Sequence, residues 1–506
     1  MLLTSKNTDH NTSTVIRALC DKLSLQCLWV RSLQLGAVAC IMTYAVSLHS
    51  LANSHLPGEY DGTLFSSSGH TPRFISAAHS PAVSVEQSEP SAYEKELTRI
   101  DRQLNAKKAF AAAHPDSELH LTSVAEAYFE RAKLSGEFTD YAATLKTLRQ
   151  VFSIVDRGHG PVMLRARLNY SLHRLPAIEP DLQTAESALL VNKPAIAMID
   201  GIRADVLLQQ GRYAEARRVY EELNNRKPDS TSAIRIAQAN AYIGDHEEAE
   251  RWFSLAQVRA PRRSLQLKSW IALQKGILYL ERGRLDEALV RYHRALDLFP
   301  GYWLVEEHIA EIDALQGRTV KAERAYRDLI NRTGSPQFMI ALADILQQHD
   351  ESKKGEATEL LEKANHIFQN MAKEIPEAIA GHSIEYFLHQ GNPKQALQLA
   401  MDNYQLRSGG PHAVLLAQAH TINGNMLEAS EVLDKVLNTL YSSADLHATA
   451  KVVYEALGFN NRADHHAQLA QAINPGAVES SDWLWRSIKA PPQPKPQSST
   501  HQVKED

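Results

Sequence analysis

Residues 269–302 read SWIALQKGILYLERGRLDEALVRYHRALDLFPGY. Within them Gly276, Tyr279, Gly283, Ala288, Tyr292, Ala295 and Pro300 follow one another at steps of 3, 4, 5, 4, 3 and 5. Steps of three and four keep residues on one face of a helix. The step of five starts at Gly283, a residue type that accepts the left-handed backbone ending a helix. Pro300 cannot continue a helix and sets the next break. The stretch therefore predicts two helices joined by a turn at Gly283.

The pattern recurs in both directions. The small residue opening the second helix is Ala216, Ala249, Ala288, Ala322, Ala357, Ala396, Ala429 and Ala463, at intervals of 33, 39, 34, 35, 39, 33 and 34 residues. The two intervals of 39 imply insertions between units. All but Ala357 have a glycine five residues earlier: Gly211, Gly244, Gly283, Gly317, Gly391, Gly424 and Gly458. Four residues after each alanine, one helical turn on, stand Tyr220, Phe253, Tyr292, Tyr326, Leu361, Ala400, Leu433 and Ala467. Pro228, Pro261, Pro300 and Pro475 close units at a common offset.

This spacing resembles the tetratricopeptide repeat. The resemblance implies an all-α fold, a right-handed α-solenoid whose inner surface is lined by the first helix of every hairpin. One hairpin cannot bury its apolar face alone, and stacking buries a continuous core between layers. Upstream, Tyr128 to Val155 reads as a divergent unit turning at Gly136, and 161–191 as another whose turn, near Pro176, lacks the glycine. About ten hairpins result, with Tyr93 to His114 as a lead-in helix. The predicted organisation is a signal peptide or membrane anchor over 1–52, a flexible linker over 53–91, and divergent helical units over 92–190. The main array follows over 191–476, then a tail over 477–506, disordered from about 490, in which Trp483 and Trp485 form a terminal plug.

The N-terminal expectation rests on Leu33 to Leu48, sixteen residues without charge, preceded by Arg31 and followed by the small-x-small sequence Ser50-Leu51-Ala52. A positive flank, a short apolar stretch and small residues make an export signal. The alternatives are an uncleaved inner-membrane anchor and a buried core helix. The polar lead ahead of the stretch is long for a signal, so a start near Leu28 or Val30 is expected. All three cysteines, Cys20, Cys27 and Cys40, precede Ala52. A disulfide framework or cysteine-built zinc site is therefore excluded from the repeats, and a thiol-free body suits an oxidising compartment. The formal charge is −5, and beyond Ala52 the chain carries 50 basic against 57 acidic residues. No basic stripe exists for a nucleic acid to follow. GxxxxGK[ST], HExxH and GxSxG motifs are absent.

Placing the repeats predicts a concave, protein-binding groove of exposed first-helix residues: Asp205, Gln209, Arg235, Gln238, Trp270, Gln274, Glu307, His308, Glu311, His382, Glu385, His389 and His412. The family's familiar grip on a partner's C-terminal carboxylate needs lysines, but the equivalent positions hold Gly201, Ile234, Leu273, Glu307, Leu342, Gly381, Val414 and Ala448. That clamp is absent. His382, Glu385 and His389 share a helix face at i, i+3 and i+7, near His412 and His420 of the next unit, and imidazole with carboxylate can bind zinc. A span of seven residues is ~10 Å, too far for His382 and His389 to share an ion directly. The expectation is a solvated wall with no metal and no cofactor.

The sequence thus points to a non-catalytic scaffold binding protein or peptide segments, exported to the periplasm or cell envelope, and touching membrane only through its N-terminal segment. As the resemblance implies, it would serve secretion, surface-polymer or envelope assembly. A cytosolic assembly adaptor and an enzyme or metal protein using the His/Glu-lined groove are the alternatives.

Overall fold

The computed structural model describes residues 89–155, 160–188 and 192–480. The segment 1–52, most of the linker and the Trp483/Trp485 plug lie outside the described residues. Among those described, every regular element is helical. Helix α1 (Ala92–Ala113) leads into ten antiparallel hairpins. The first five are α2/α3 (Glu118–Ser135, Phe138–Ile154), α4/α5 (Val162–Ser171, Ile178–Glu186), α6/α7 (Lys193–Gln209, Tyr213–Arg226), α8/α9 (Ser230–Tyr242, His246–Arg259) and α10/α11 (Leu265–Leu280, Leu285–Leu298). The rest are α12/α13 (Trp303–Leu315, Thr319–Thr333), α14/α15 (Pro336–His349, Lys354–Ala372), α16/α17 (Pro376–His389, Pro393–Leu406), α18/α19 (Gly410–Ile422, Met426–Leu437) and α20/α21 (Ala444–Ala456, Asn460–Ile473). No described helix is long and apolar enough to cross a membrane.

The repeating residues form these elements for the reasons their spacing suggests. Gly211, Gly244, Gly283, Gly317, Gly391, Gly424 and Gly458 all take positive φ, between 69° and 81°. A side chain there would crowd the carbonyl oxygen, so the helix stops where the glycine stands. The hairpin α4/α5 has no such glycine, and His173 takes the left-handed position instead, at φ 60°, at a cost of about 1–2 kcal/mol. The small alanines are buried, without exposed surface from Ala216 to Ala429, and so are Tyr220, Phe253, Tyr292 and Tyr326 one turn on. Each such aromatic contributes about 1.5–3 kcal/mol by leaving water. Alanine lets the helices approach, and the ring fills the space beyond.

The solenoid also closes on itself. Hydrogen bonds join residues 169 to 207 positions apart; apart from the Tyr93 amide of the lead-in helix, which donates to the Pro300 carbonyl at 3.1 Å, they link a turn inside one hairpin to a loop one superhelical turn later. Trp303 Nε1 donates to the Leu134 carbonyl at 3.0 Å, its indole lying over Gly136. Arg174 binds Glu377 at 3.1 Å and the Glu374 carbonyl at 2.9 Å. The Gly409 amide donates to the Gln209 carbonyl at 2.9 Å, and the Gly410 amide to the Tyr213 hydroxyl at 2.6 Å. The Ser442 backbone amide reaches the Tyr242 carbonyl at 3.2 Å, and the Asn474 side-chain amide donates to the Glu281 carbonyl at 3.3 Å. Tyr213, Tyr242 and Tyr441 pack together across the seam, with centroids 5.7–6.3 Å apart. Ile375 and Ala378 share an apolar core with Phe129 and Leu168 of the preceding turn.

Candidate functional site

The structure gives the inner wall a different character from the one expected. Asp205, Gln209, Arg235, Gln238, Trp270, Gln274, Glu307, His308, Glu311, His382 and Glu385, expected as exposed groove residues, are all buried. Trp270 is a core residue packed edge-on against Phe253, with centroids 6.5 Å apart. His412 is partly exposed by surface area, yet its ring is deep enough for burial to dominate its chemistry. The side chain of His389 lies outside what the structure describes. Eight of the expected residues fall into three polar clusters with distinct chemistry.

In the first cluster, Arg235 on α8 grips Asp205 on α6 with both arms of its guanidinium, at 2.9 and 2.7 Å. Tyr220 on α7 donates to the same carboxylate at 2.9 Å. The guanidinium lies against Gly201, where any Cβ would overlap it. This bidentate pair is geometrically specific. Its partners satisfy each other, so it fastens neighbouring hairpins.

The second cluster sits on α12. Glu307, His308 and Glu311 occupy i, i+1 and i+4, and that spacing brings their side chains to one region of the helix surface. His308 Nδ1 lies 2.8 Å from Glu307 Oε2 and 3.2 Å from Glu311 Oε2. All three are essentially without exposed surface. The Tyr292 ring from α11 stacks on the imidazole, centroid to centroid 5.4 Å, and the Tyr326 hydroxyl from α13 donates to Glu307 Oε1 at 3.4 Å. Burial pulls the His308 imidazolium down, but the charges and hydrogen bonds of Glu307 and Glu311 outweigh it and raise it to about 10. Burial pushes Glu311 up to about 7, against the lowering contact with His308. Among the described residues this is the grouping of three histidine or carboxylate side chains with ligand atoms close enough, within 4.8 Å, to share a cation.

The third cluster gathers His382, Glu385, His412 and His173 around Arg407. His382 Nδ1 stands 3.9 Å from Glu385 Oε2, too far for a hydrogen bond. His412 Nδ1 meets the Asn403 amide at 3.3 Å, and Arg407 donates to the Asn403 side-chain oxygen. Burial raises the Glu385 carboxyl well above its ordinary range. Burial and then the charge of Arg407 lower His382 to about 4, and the same two causes push His173 and His412 well below their usual value. The face-sharing of His382 and Glu385 thus produces a buried pair in which burial disfavours both charged forms.

Acid should loosen this region. A free histidine titrates near 6.5, and His382 in the fold near 4. Between those values the unfolded chain takes a proton that the folded chain refuses. The His382 contribution is therefore complete above pH 6.5 and falls by about 3 kcal/mol as pH drops toward 4, while the raised Glu385 carboxyl works in the opposite sense. His173 and His412 act in the same sense as His382. Urea unfolding at pH 7.5 and pH 4.5, in the wild type and His382→Gln, reads the difference. An equal acid loss in both proteins would contradict the assignment to His382.

The stacked hairpins, glycine turns and buried alanine seams define a helical-repeat scaffold. The tetratricopeptide repeat family model matches residues 203–264 and 273–337, so this part of the chain carries tetratricopeptide repeats. Among solved structures, a tetratricopeptide repeat protein from Parabacteroides merdae is 17% identical with a TM-score of 0.32, over 54% of this chain and 99% of that one. The human IFIT1 dimer with PPP-AAAA is 14% identical, TM-score 0.36, over 75% and 94%. The APC/C hetero-tetramer Cut9–Hcn1 is 13% identical, TM-score 0.35, over 78% and 83%. Comparison with curated proteins finds no match.

Proposed function

We propose that the protein is a non-catalytic scaffold of the cell envelope, holding segments of partner proteins along the inner wall of its solenoid in secretion, surface-polymer or envelope assembly. One observation carries the reading of the wall. First-helix side chains keep buried polar atoms with no hydrogen-bond partner, notably Gln274 Nε2 and both Glu385 oxygens. Such atoms cost about 1–3 kcal/mol each when left unsatisfied, and the backbone of an extended segment supplies donors and acceptors for them. A segment reaches the wall when adjoining superhelical turns part along their seam. The export part of the reading is supported by the uncharged stretch Leu33 to Leu48, its small-residue flank and the confinement of cysteine before Ala52.

A photoreactive diazirine side chain at Gln274, compared with one at the exposed outer residue Val258, tests the wall. Adducts with a discrete partner from position 274 and not from 258 are expected. Adducts from 258 alone would place binding on the outer surface and overturn the reading. Fractionation with N-terminal sequencing tests the address, and an unprocessed cytoplasmic product would reverse it.

A further inference from the structure

We propose that Glu307, His308 and Glu311 bind one divalent transition-metal ion of the zinc class, buried within the α12/α13 hairpin. An imidazole nitrogen with two carboxylates is a donor set that such ions accept. The facing atoms are already near their ligating places. Bonds of about 2.0–2.1 Å around a tetrahedral ion put ligand atoms about 3.3 Å apart. Here His308 Nδ1 lies 2.8 and 3.2 Å from the two carboxylates, and one ligand atom from each residue falls within 4.8 Å of the others. Small side-chain rotations would open room for the ion.

Charge argues the same way. With both carboxylates ionised, the three groups carry net negative charge even when the ring is protonated. An uncompensated buried charge costs several kcal/mol. A divalent ion in the place of the proton between Nδ1 and the carboxylates removes the excess. A separate element adds an independent sign. Tyr292 on α11 is buried, stacks on His308, and leaves its hydroxyl without a partner, as Glu311 does its Oε1. Burial first, and then the charges of Glu311 and Glu307, hold that phenol well above its ordinary range. Tyr326, donating to Glu307, holds the opposite side as an outer-shell partner does.

The test uses the full chain, stripped with chelator and incubated overnight with zinc, because the walls must move to admit an ion. Calorimetry and thermal unfolding should show one zinc per chain and a melting temperature that rises with zinc and falls back with chelator. Glu311→Gln, near-isosteric and lacking the charge, should keep its helical circular dichroism. It should weaken zinc by more than about 100-fold, since loss of outer-shell groups alone can reach that figure. His466→Asn, which removes the stacked His447–His466 pair from α20/α21, should bind as the wild type does. Cobalt added to the wild type, whatever the variants' folding, should give visible absorption of a nitrogen–oxygen site at one equivalent. No cobalt spectrum, no zinc-dependent stability, or binding that survives Glu311→Gln but disappears with His466→Asn would overturn the proposal.

Discussion

Arg235→Ala should destabilise the middle of the solenoid by about 3–5 kcal/mol, the usual cost of stripping one partner from a buried ion pair. Asp205 and Arg235 are both more than nine-tenths buried, and the carboxylate would keep only the Tyr220 hydroxyl. The loss should appear as early unfolding of α6 through α9, since a repeat array comes apart locally. Urea titration with amide exchange resolved along the chain reads both size and place. Arg235→Lys should rescue little, because an ammonium cannot span both oxygens. The double variant Asp205→Leu with Arg235→Met removes both charges together and should recover most of the stability. A loss below about 1 kcal/mol for Arg235→Ala, the scale of an exposed ion pair, would mean that water reaches Asp205.

Closure along the seam marks the limit of what the chain discloses. The hairpins are legible because they depend on neighbours. Ala288, Tyr292 and Gly283 each act within one unit or between adjoining units, so their spacing writes itself into the chain at every repeat. The seam depends on meetings about two hundred residues apart, and no period records them. Gly409 and Gly410 are the nearest thing to a sign: two consecutive glycines at a loop where Gly301, Gly334 and Gly476 stand singly in other units. Gly409 has φ −65°, so its backbone conformation does not require glycine. Asp205, Gln274 and Glu307 read as groove residues facing water, where the structure buries them. Among histidines, HSIEYFLH draws the eye by its count of rings. The tighter constellation is Glu307-His308-Ile309-Ala310-Glu311, whose spacing of one and four converges side chains where seven separates them.

The seam can be tested at the glycine whose absence of side chain it requires. A Cβ on Gly409 would stand 2.7 Å from the Gln209 carbonyl oxygen, which is backbone and cannot rotate away. Gly409→Ala should therefore push the two superhelical turns apart without straining the residue itself. The Gly409 and Gly410 amides and the Ser408 hydroxyl would lose their acceptors on Gln209, Tyr213 and Gln210. Three such bonds at about 0.5–1.5 kcal/mol each give roughly 2–4 kcal/mol lost from the seam. The hairpins themselves keep their alanine contacts, so helical circular dichroism should not change. Small-angle scattering should show a larger radius of gyration, and amides at Gly410 and Ser442 should exchange faster. Gly381→Ala is the control, since that helical glycine has nothing within 4 Å of a new Cβ and alanine there should stabilise by about 0.4–1 kcal/mol. If Gly409→Ala leaves the scattering curve and the seam amides as they were, then the turns do not touch in solution. If it opens them, the same variant should increase crosslinking from position 274, because parting the turns is the step that admits a partner to the wall.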